Sequence, residues 1–442
     1  FPWMVSESGG GAFVLIYILS VILIALPIMI AEVFIGRHGK QNPVASLQYL
    51  SKESSSFDVT EIDGVLNRVK TKKQKYSNSD DYSNWQLVGW GGIIAGILIL
   101  SFYSVIAGWT MSYILKAGSG AFNLIDLEES KKIFTNLVAD PIKMLGWHTA
   151  FMVLTCYIVA KGVKGGLEKA VKFLIPGLFI ILIGLALYST TLSGFSDGMK
   201  YMFVPELSKI NSSVVLSAIG MAFFSLSIGM GSLMIYGSYL SNDSSIGEVT
   251  AVVAFADTSV AILAGLIIFP IVFTYSLDPS TAGPGLIFET LPIAFGSMPG
   301  GSIIATSFFI LLFFAAITSS ISLIEPAISF LIERYSMSRT EASIKMGFLT
   351  WFVGIGTLLS FNLISDYKLF GMNFFGILDG LTSKIMLPLG GLLMAIFTGY
   401  IVKKKIVMDE LRMGPIKFNS WLILIKYIAP IAVTLIFVHG LF

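Results

Sequence analysis

The stretch FFSLSIGMGS, residues 223–232, decides how this chain folds. Ser225, Ser227, Gly229 and Gly231 interrupt an apolar run near its middle, where a helix crossing a bilayer would otherwise continue. Hydrocarbon offers no water to backbone N–H and C=O groups. A helix therefore breaks at that depth only where a cavity, a ligand or surrounding protein satisfies the groups it frees. The start of the chain has the same character. In FPWMVSESGGG, residues 1–11, Pro2 and the run Gly9, Gly10, Gly11 flank a short helix. It is too short to span and has no basic leader, so it does not read as a signal peptide. We expect it to be the second half of a span whose first half lies upstream of Phe1.

Around these two breaks, the 442 residues are 55% hydrophobic and 13% charged, and the mean hydropathy is +0.81, far from the composition of a soluble domain. Continuous apolar runs, rather than two-residue alternation, point to helices and away from a barrel. Such runs cover residues 11–36, 87–115, 147–160, 171–192, 214–240, 250–275, 303–332, 342–363, 375–402 and 421–442. With the initial half-helix they make eleven expected spans of an all-α integral membrane protein. A net charge of +2 with lysines scattered between the runs gives nucleic acid no footprint. Cys156 with His38, His148 and His439 supplies neither a disulfide frame nor a metal cluster, which excludes a metalloenzyme.

Lysine and arginine divide unequally between alternate loops, with twenty on one side and seven on the other. Positive flanks stay on the cytoplasmic side, so the richer set is expected inside the plasma membrane and Phe1 near mid-membrane. The polar, serine-rich insert at about 52–85 reads as a solvated cytoplasmic loop. The segment GPGLIFETLPIAFGSMPGG, residues 283–301, fits either a short helical hairpin over a vestibule or a plain surface loop.

The two interrupted helices lead two successive halves, one running to about residue 193 and the other onward from about Val214. A matched pair of this kind marks a transporter of inverted repeats with its site at their interface, although a small-residue face for helix packing gives a similar pattern. Asp257, in VVAFADTSVAILAG, lies within a span, where a carboxylate costs several kcal/mol unless a cation, a proton or a partner compensates. It could equally be a buried acid bonded to nearby hydroxyls. Thr318, Ser319 and Ser320, in AAITSSISLIEP, could offer oxygens to a hard cation or bond back to their own helix. Tyr103, in LILSFYSVIAGW, puts a phenol in the third span, where packing alone would also explain it.

Together, FPWMVSESGGGAF, AEVFIGR, SFYSVIAGW, FFSLSIGMGSLMIYGSYL and FFAAITSSISLIEP resemble the neurotransmitter:sodium symporter family, in order and along essentially the whole chain. The resemblance is nearest to its prokaryotic amino-acid members. It implies the leucine-transporter fold: five spans in 1–193, five in inverted topology in 194–402, and a cytoplasmic loop with an eleventh span in 403–442. By the same resemblance, Tyr103 binds the substrate carboxylate, Phe224 is the lid over the substrate, and Ser227 and Met230 line its subsite. Ile99, Ser320 and Leu323 complete the side-chain pocket. Ser225 and Asp257 match the first sodium site, and Ala315 (through its carbonyl), Thr318 and Ser319 the second. Asp379 matches the acid of the outer gate, whose arginine partner would precede Phe1, and Met221 departs from a frequent glutamine near that gate. An aspartate at 257 with Ala261 at the chloride-binding serine position is similar to the chloride-independent pattern, in which the protein carries the negative charge itself.

No charged residue stands among Ile99, Phe224, Met230 and Leu323, so the expected substrate is a neutral, bulky amino acid, aromatic or large aliphatic. Two sodium ions and the zwitterion are expected to bind near mid-membrane. The rival readings are an amino-acid sensor of the same fold and a proton-coupled carrier. A membrane-embedded enzyme lacks a nucleophile, base or metal constellation in the spans.

Overall fold

The computed structural model describes residues 1–60, 83–277 and 285–441. Its elements are helical, and an isolated bridge pairing Leu369 with Met372 is the extent of β-structure among the described residues. Nine helices there are long and apolar enough to cross a membrane. In chain order the helices are α1 (Pro2–Glu7), α2 (Gly11–Gly39), α3 (Pro43–Thr60), α4 (Gln86–Gly118), α5 (Leu127–Val138), α6 (Pro141–Ala160), α7 (Gly165–Ser189) and α8 (Phe195–Phe203). There follow α9 (Ser212–Ser225), α10 (Ser232–Tyr239), α11 (Ile246–Thr274), α12 (Leu286–Ser297), α13 (Gly301–Tyr335), α14 (Arg339–Leu359), α15 (Phe374–Ile401), α16 (Lys404–Leu411) and α17 (Pro415–Leu435). The nine spanning helices, the short helix α1 and the broken pair α9–α10 correspond to the eleven expected segments, and the all-helical membrane architecture holds.

Local chemistry sets the helix starts. Pro2 occupies the first turn of α1, where its missing N–H costs nothing. Asp140 accepts from the amides of Ile142 and Lys143 at 3.1 and 3.0 Å to start α6. Asn211, Ser245, Ser338 and Asn373 do the same for α9, α11, α14 and α15. Caps of this type contribute about 1 kcal/mol each. They place the first residues of α6 and α14 outside the ranges expected from hydropathy alone, which started at 147 and 342.

Close helix contacts rest on glycine. A Cβ on Gly36 would stand 1.8 Å from the Met234 carbonyl oxygen, and one on Gly237 2.4 Å from that of Val33, so α2 and α10 meet backbone to backbone. A Cβ on Gly96 would fall 2.7 Å from the Leu323 carbonyl oxygen, which fixes α4 against α13. Side chains then form two large apolar bodies around the break. One holds Phe13, Tyr17, Phe34, Phe223, Leu226, Ile228 and Met234 from α2, α9, α10 and the turn between them. The other holds Ile99, Met152, Met230, Leu323 and Leu387 from α4, α6, α13 and α15. The turn thus passes from one body to the other between Ile228 and Met230.

Two expectations need correction. The polar insert is not a loop from its start: α3 continues through Thr60, with Ser54 buried, because an apolar face of this helix, including Leu47 and Leu50, packs on the core. The middle of the insert lies outside the described residues. The segment after residue 284 is a single short helix, neither hairpin nor surface loop. In α12, Leu286, Phe288, Leu291, Ala294 and Phe295 are buried, and the Phe288 carbonyl accepts from the Tyr113 hydroxyl at 2.8 Å. Gly283 and Pro284 lie outside the described residues.

Candidate functional site

The sequence FFSLSIGMGS produces the break through backbone conformation. Helix α9 ends at Ser225, and α10 does not start until Ser232. Between them Ser227, Gly229 and Gly231 take positive φ of 56°, 82° and 74°. Glycine adopts that region without the Cβ clash that a side chain meets. At Gly229 a second reason adds to the first, since a Cβ would lie 2.7 Å from the Leu387 carbonyl oxygen of α15. The first amides of the turn all find partners: Leu226 and Ser227 N–H donate to the carbonyls of Ala222 and Phe224, each at 3.2 Å. Ile228 N–H donates to the Phe223 carbonyl at 3.0 Å, and Gly229 N–H donates to Glu32 Oε1 of α2 at 2.7 Å. The Ser232 hydroxyl donates to the Ser322 carbonyl at 2.9 Å and anchors the start of α10 on α13. Near the chain start, Gly9 and Gly10, at φ 93° and 67°, turn α1 into α2.

At the end of α9, the Ser225 hydroxyl donates to Asp257 Oδ2 of α11. Tyr17 of α2 donates its hydroxyl to the Ser225 Oγ at 3.3 Å, and the Phe1 ring packs on Tyr17 at 4.8 Å between centroids. This is a polar node of three helices, and Asp257 within it is half-buried. The two residues assigned to the first sodium site are therefore brought together. The alternative reading of Asp257, an acid bonded to a hydroxyl, describes the same contact.

A second polar node lies between α4 and α13. The Tyr103 side chain lies beside that of Ser319, which is exposed. One residue back, Thr318 Oγ1 donates to the carbonyls of Ala315 at 2.9 Å and Phe314 at 3.1 Å. Thr318 thus bonds back to the very carbonyl with which it was grouped as a cation ligand. Ser320 is fully buried, donates to the Ile317 carbonyl at 2.9 Å and pairs with Thr155 of α6 at 2.9 Å. Its hydroxyl ties α13 to α6. Ile99, Met230 and Leu323 share one apolar body with Tyr103 packed against it.

Phe224, at the last turn of α9, is 36% exposed, and Ser227 sits in the turn itself. Asp379 lies near the end of the first turns of α15 and is half-buried. Its backbone carbonyl accepts from the Thr382 and Ser383 hydroxyls, and its carboxylate has no ion-pair partner among the described residues. No hydrogen bond among the described residues joins Asp379 to Phe224.

Sequence reasoning singled out Asp257 and passed over two other carboxylates in apolar runs. Glu32 is fully buried; one oxygen accepts from Gly229 N–H and the other has no partner among the described residues. Glu325 is fully buried in α13, pairs with Arg339 of α14 and accepts from Tyr239 of α10 at 2.6 Å. Arg339 also donates through Nε to the Val159 carbonyl of α6 at 2.8 Å. Four helices are thereby tied together below the break. The signal for both was present, since a carboxylate within a span is a functional candidate by default.

The model of the Sodium:neurotransmitter symporter family matches residues 123–442. A sodium-dependent transporter of Bacillus subtilis, YhdH, is 32% identical over 99% of this chain and 92% of its own length. A sodium-dependent transporter of Haemophilus influenzae is 31% identical over 100% of this chain and 93% of its own. Among solved structures, MhsT in complex with L-phenylalanine superposes with a TM-score of 0.87 at 36% identity, covering 100% of this chain and 94% of the other. The break in the helix at residues 226–231, the carboxylate beside it and these relatives lead to one conclusion: the chain belongs to the sodium:neurotransmitter symporter family, as a sodium-dependent transporter with the leucine-transporter fold.

Proposed function

We propose that the protein is a symporter that imports a neutral, hydrophobic or aromatic amino acid by alternating access, driven by sodium and independent of chloride. One observation carries the reading: the broken helix delivers Ser225 to Asp257 on one side and Met230 to Ile99 and Leu323 on the other. Cation oxygens and an apolar side-chain wall are thus separated by a few residues of non-helical backbone, beside which a zwitterion binds. Tyr103, beside Ser319, binds the substrate carboxylate, Phe224 covers the substrate, and Ser227 and Met230 line its side chain. Ser225 and Asp257 hold one sodium ion; the Ala315 carbonyl, Thr318 and Ser319 hold another once Thr318 releases its back-bond. The negative charge of Asp257 supports chloride independence. Asp379 belongs to the outer gate.

The two halves 1–193 and 194–402 act as inverted repeats, each opened by an interrupted helix, with 403–442 added after them. The lysine- and arginine-rich loops face the cytoplasm. Ion ligands shared between helices that move apart give the two end states different sodium affinities, which coupling requires. Each charge crossing 100 mV contributes about 2.3 kcal/mol, so two ions supply about 4.6 kcal/mol, enough for more than roughly thousandfold accumulation. The relatives support the substrate class: MhsT is solved with L-phenylalanine, and a rat relative 21% identical over 61% of this chain is a sodium-dependent neutral amino acid transporter.

The test is uptake of labelled phenylalanine, tryptophan, leucine and glycine into proteoliposomes, with sodium or potassium outside and chloride present or replaced. Accumulation of the bulky substrates that needs sodium and ignores chloride is the expected result. Uptake that persists in potassium overturns sodium coupling in favour of a proton. Binding without accumulation makes the protein a sensor.

A further inference from the structure

Far from the broken helix, at the lysine-rich end of α15 and α17, lies a cleft of about 440 Å³. Lys403, Lys404 and Lys426 line it, together with Ser54, Thr398 and the apolar side chains of Val407 and Leu422, and the lining contains no carboxylate. Lys404 and Lys426 have no ion-pair partner among the described residues; their ammonium groups lie 5.7 and 5.1 Å from the rings of Phe418 and Tyr400. More telling are the hydroxyls. Ser54 and Thr398 are 3% and 1% exposed, both line the cleft, and neither hydroxyl has a hydrogen-bond partner among the described residues. Buried hydroxyls left in that state are rare, because each forfeits the hydrogen bonds it had in water. Helix α16 starts at the same place with no side-chain cap, which leaves first-turn amides as further donors.

Cations, orphan hydroxyl donors and an uncapped helix start, with no acid among them, are complementary to a phosphate-bearing anion. The surroundings decide how it is presented. Tyr400, Ile401, Ile423 and Tyr427 are exposed on the outer surface of α15 and α17, where apolar side chains face acyl chains and tyrosines favour the membrane boundary. We infer that this cleft binds the phosphate of an anionic phospholipid headgroup, with the acyl chains against α15 and α17. Lysines near a membrane surface contribute roughly a factor of five each in lipid binding, so losing two weakens it about thirtyfold.

The test uses the purified protein in phosphatidylcholine nanodiscs titrated with phosphatidylglycerol, and separately with inorganic phosphate, with bound lipid read by native mass spectrometry and stability by thermal melting. The variants are Thr398→Val, which removes one orphan hydroxyl at constant shape, and the double change Lys404→Gln with Lys426→Gln at exposed and half-exposed positions. We expect saturable phosphatidylglycerol binding, about thirtyfold weaker in the double variant and severalfold weaker in Thr398→Val, with melting in pure phosphatidylcholine unchanged. Inorganic phosphate that binds as tightly, with the same loss in the variants, keeps the anion site and overturns the lipid as its source. Equal phosphatidylglycerol binding by wild type and variants, or binding of neither ligand by the wild type, overturns the site.

Discussion

Replacing Asp257 by asparagine isolates the charge from the shape. The amide keeps an oxygen that accepts from the Ser225 hydroxyl, as Asp257 Oδ2 does, so the node with Tyr17 survives and folding should be little affected. What disappears is one negative charge beside the proposed sodium site. Two unit charges about 4 Å apart attract by about 1 kcal/mol in water and about 4 kcal/mol at the effective dielectric constant near 20 found close to a protein surface. Asp257 is half-buried, so the loss should lie between these limits, at about 2.5 kcal/mol, or roughly a 60-fold rise in the sodium concentration for half-maximal uptake. Sodium-titrated uptake in proteoliposomes measures it, with thermal melting as the control for folding. A half-maximal sodium concentration within twofold of wild type, in a variant that melts normally, would refute the charge argument and leave Asp257 as a structural acid bonded to Ser225.

Three further outcomes follow from the geometry. Gly229→Ala places a Cβ at positive φ and against the Leu387 carbonyl, and should cost about 2 kcal/mol or more, seen as a lower melting temperature with loss of transport. Arg339→Leu strands the buried Glu325 carboxylate and should destabilise by about 3–5 kcal/mol, and adding Glu325→Gln should recover much of that; independent, additive losses in the double-mutant cycle would count against the ion pair. In α16 the Glu410 carboxyl is held down at about 2 by its hydrogen bonds to His38 and Arg37, below its ordinary 4.5. A depressed carboxyl adds stability above its unfolded value and loses it as pH falls towards its folded one, so melting temperature should drop between about pH 4.5 and 2. Glu410→Gln should flatten that part of the profile.

The chain's sequence alone determined the membrane class, the eleven spans and the place of the main break, because each depends on properties of short segments. Twenty apolar residues dictate a span, and Ser225, Ser227, Gly229 and Gly231 at its middle mark the place where it can break. Asp257 was legible for a similar reason: a charge within a span is anomalous before any partner is known. Sequence did not show where hydroxyls point. Thr318 bonds back to Ala315, Ser320 turns to Thr155, and Ser319 meets Tyr103, although the three are consecutive on one helix; their rotation relative to α4 and α6 decides it. Nor could it show that Glu32 accepts from Gly229 N–H, or that Arg339 reaches Glu325, since each pair joins separate segments whose approach depends on how the helices pack. Apolar content and backbone breaks are local properties of the chain. Which polar group satisfies which is settled only when close packing fixes the helices in register.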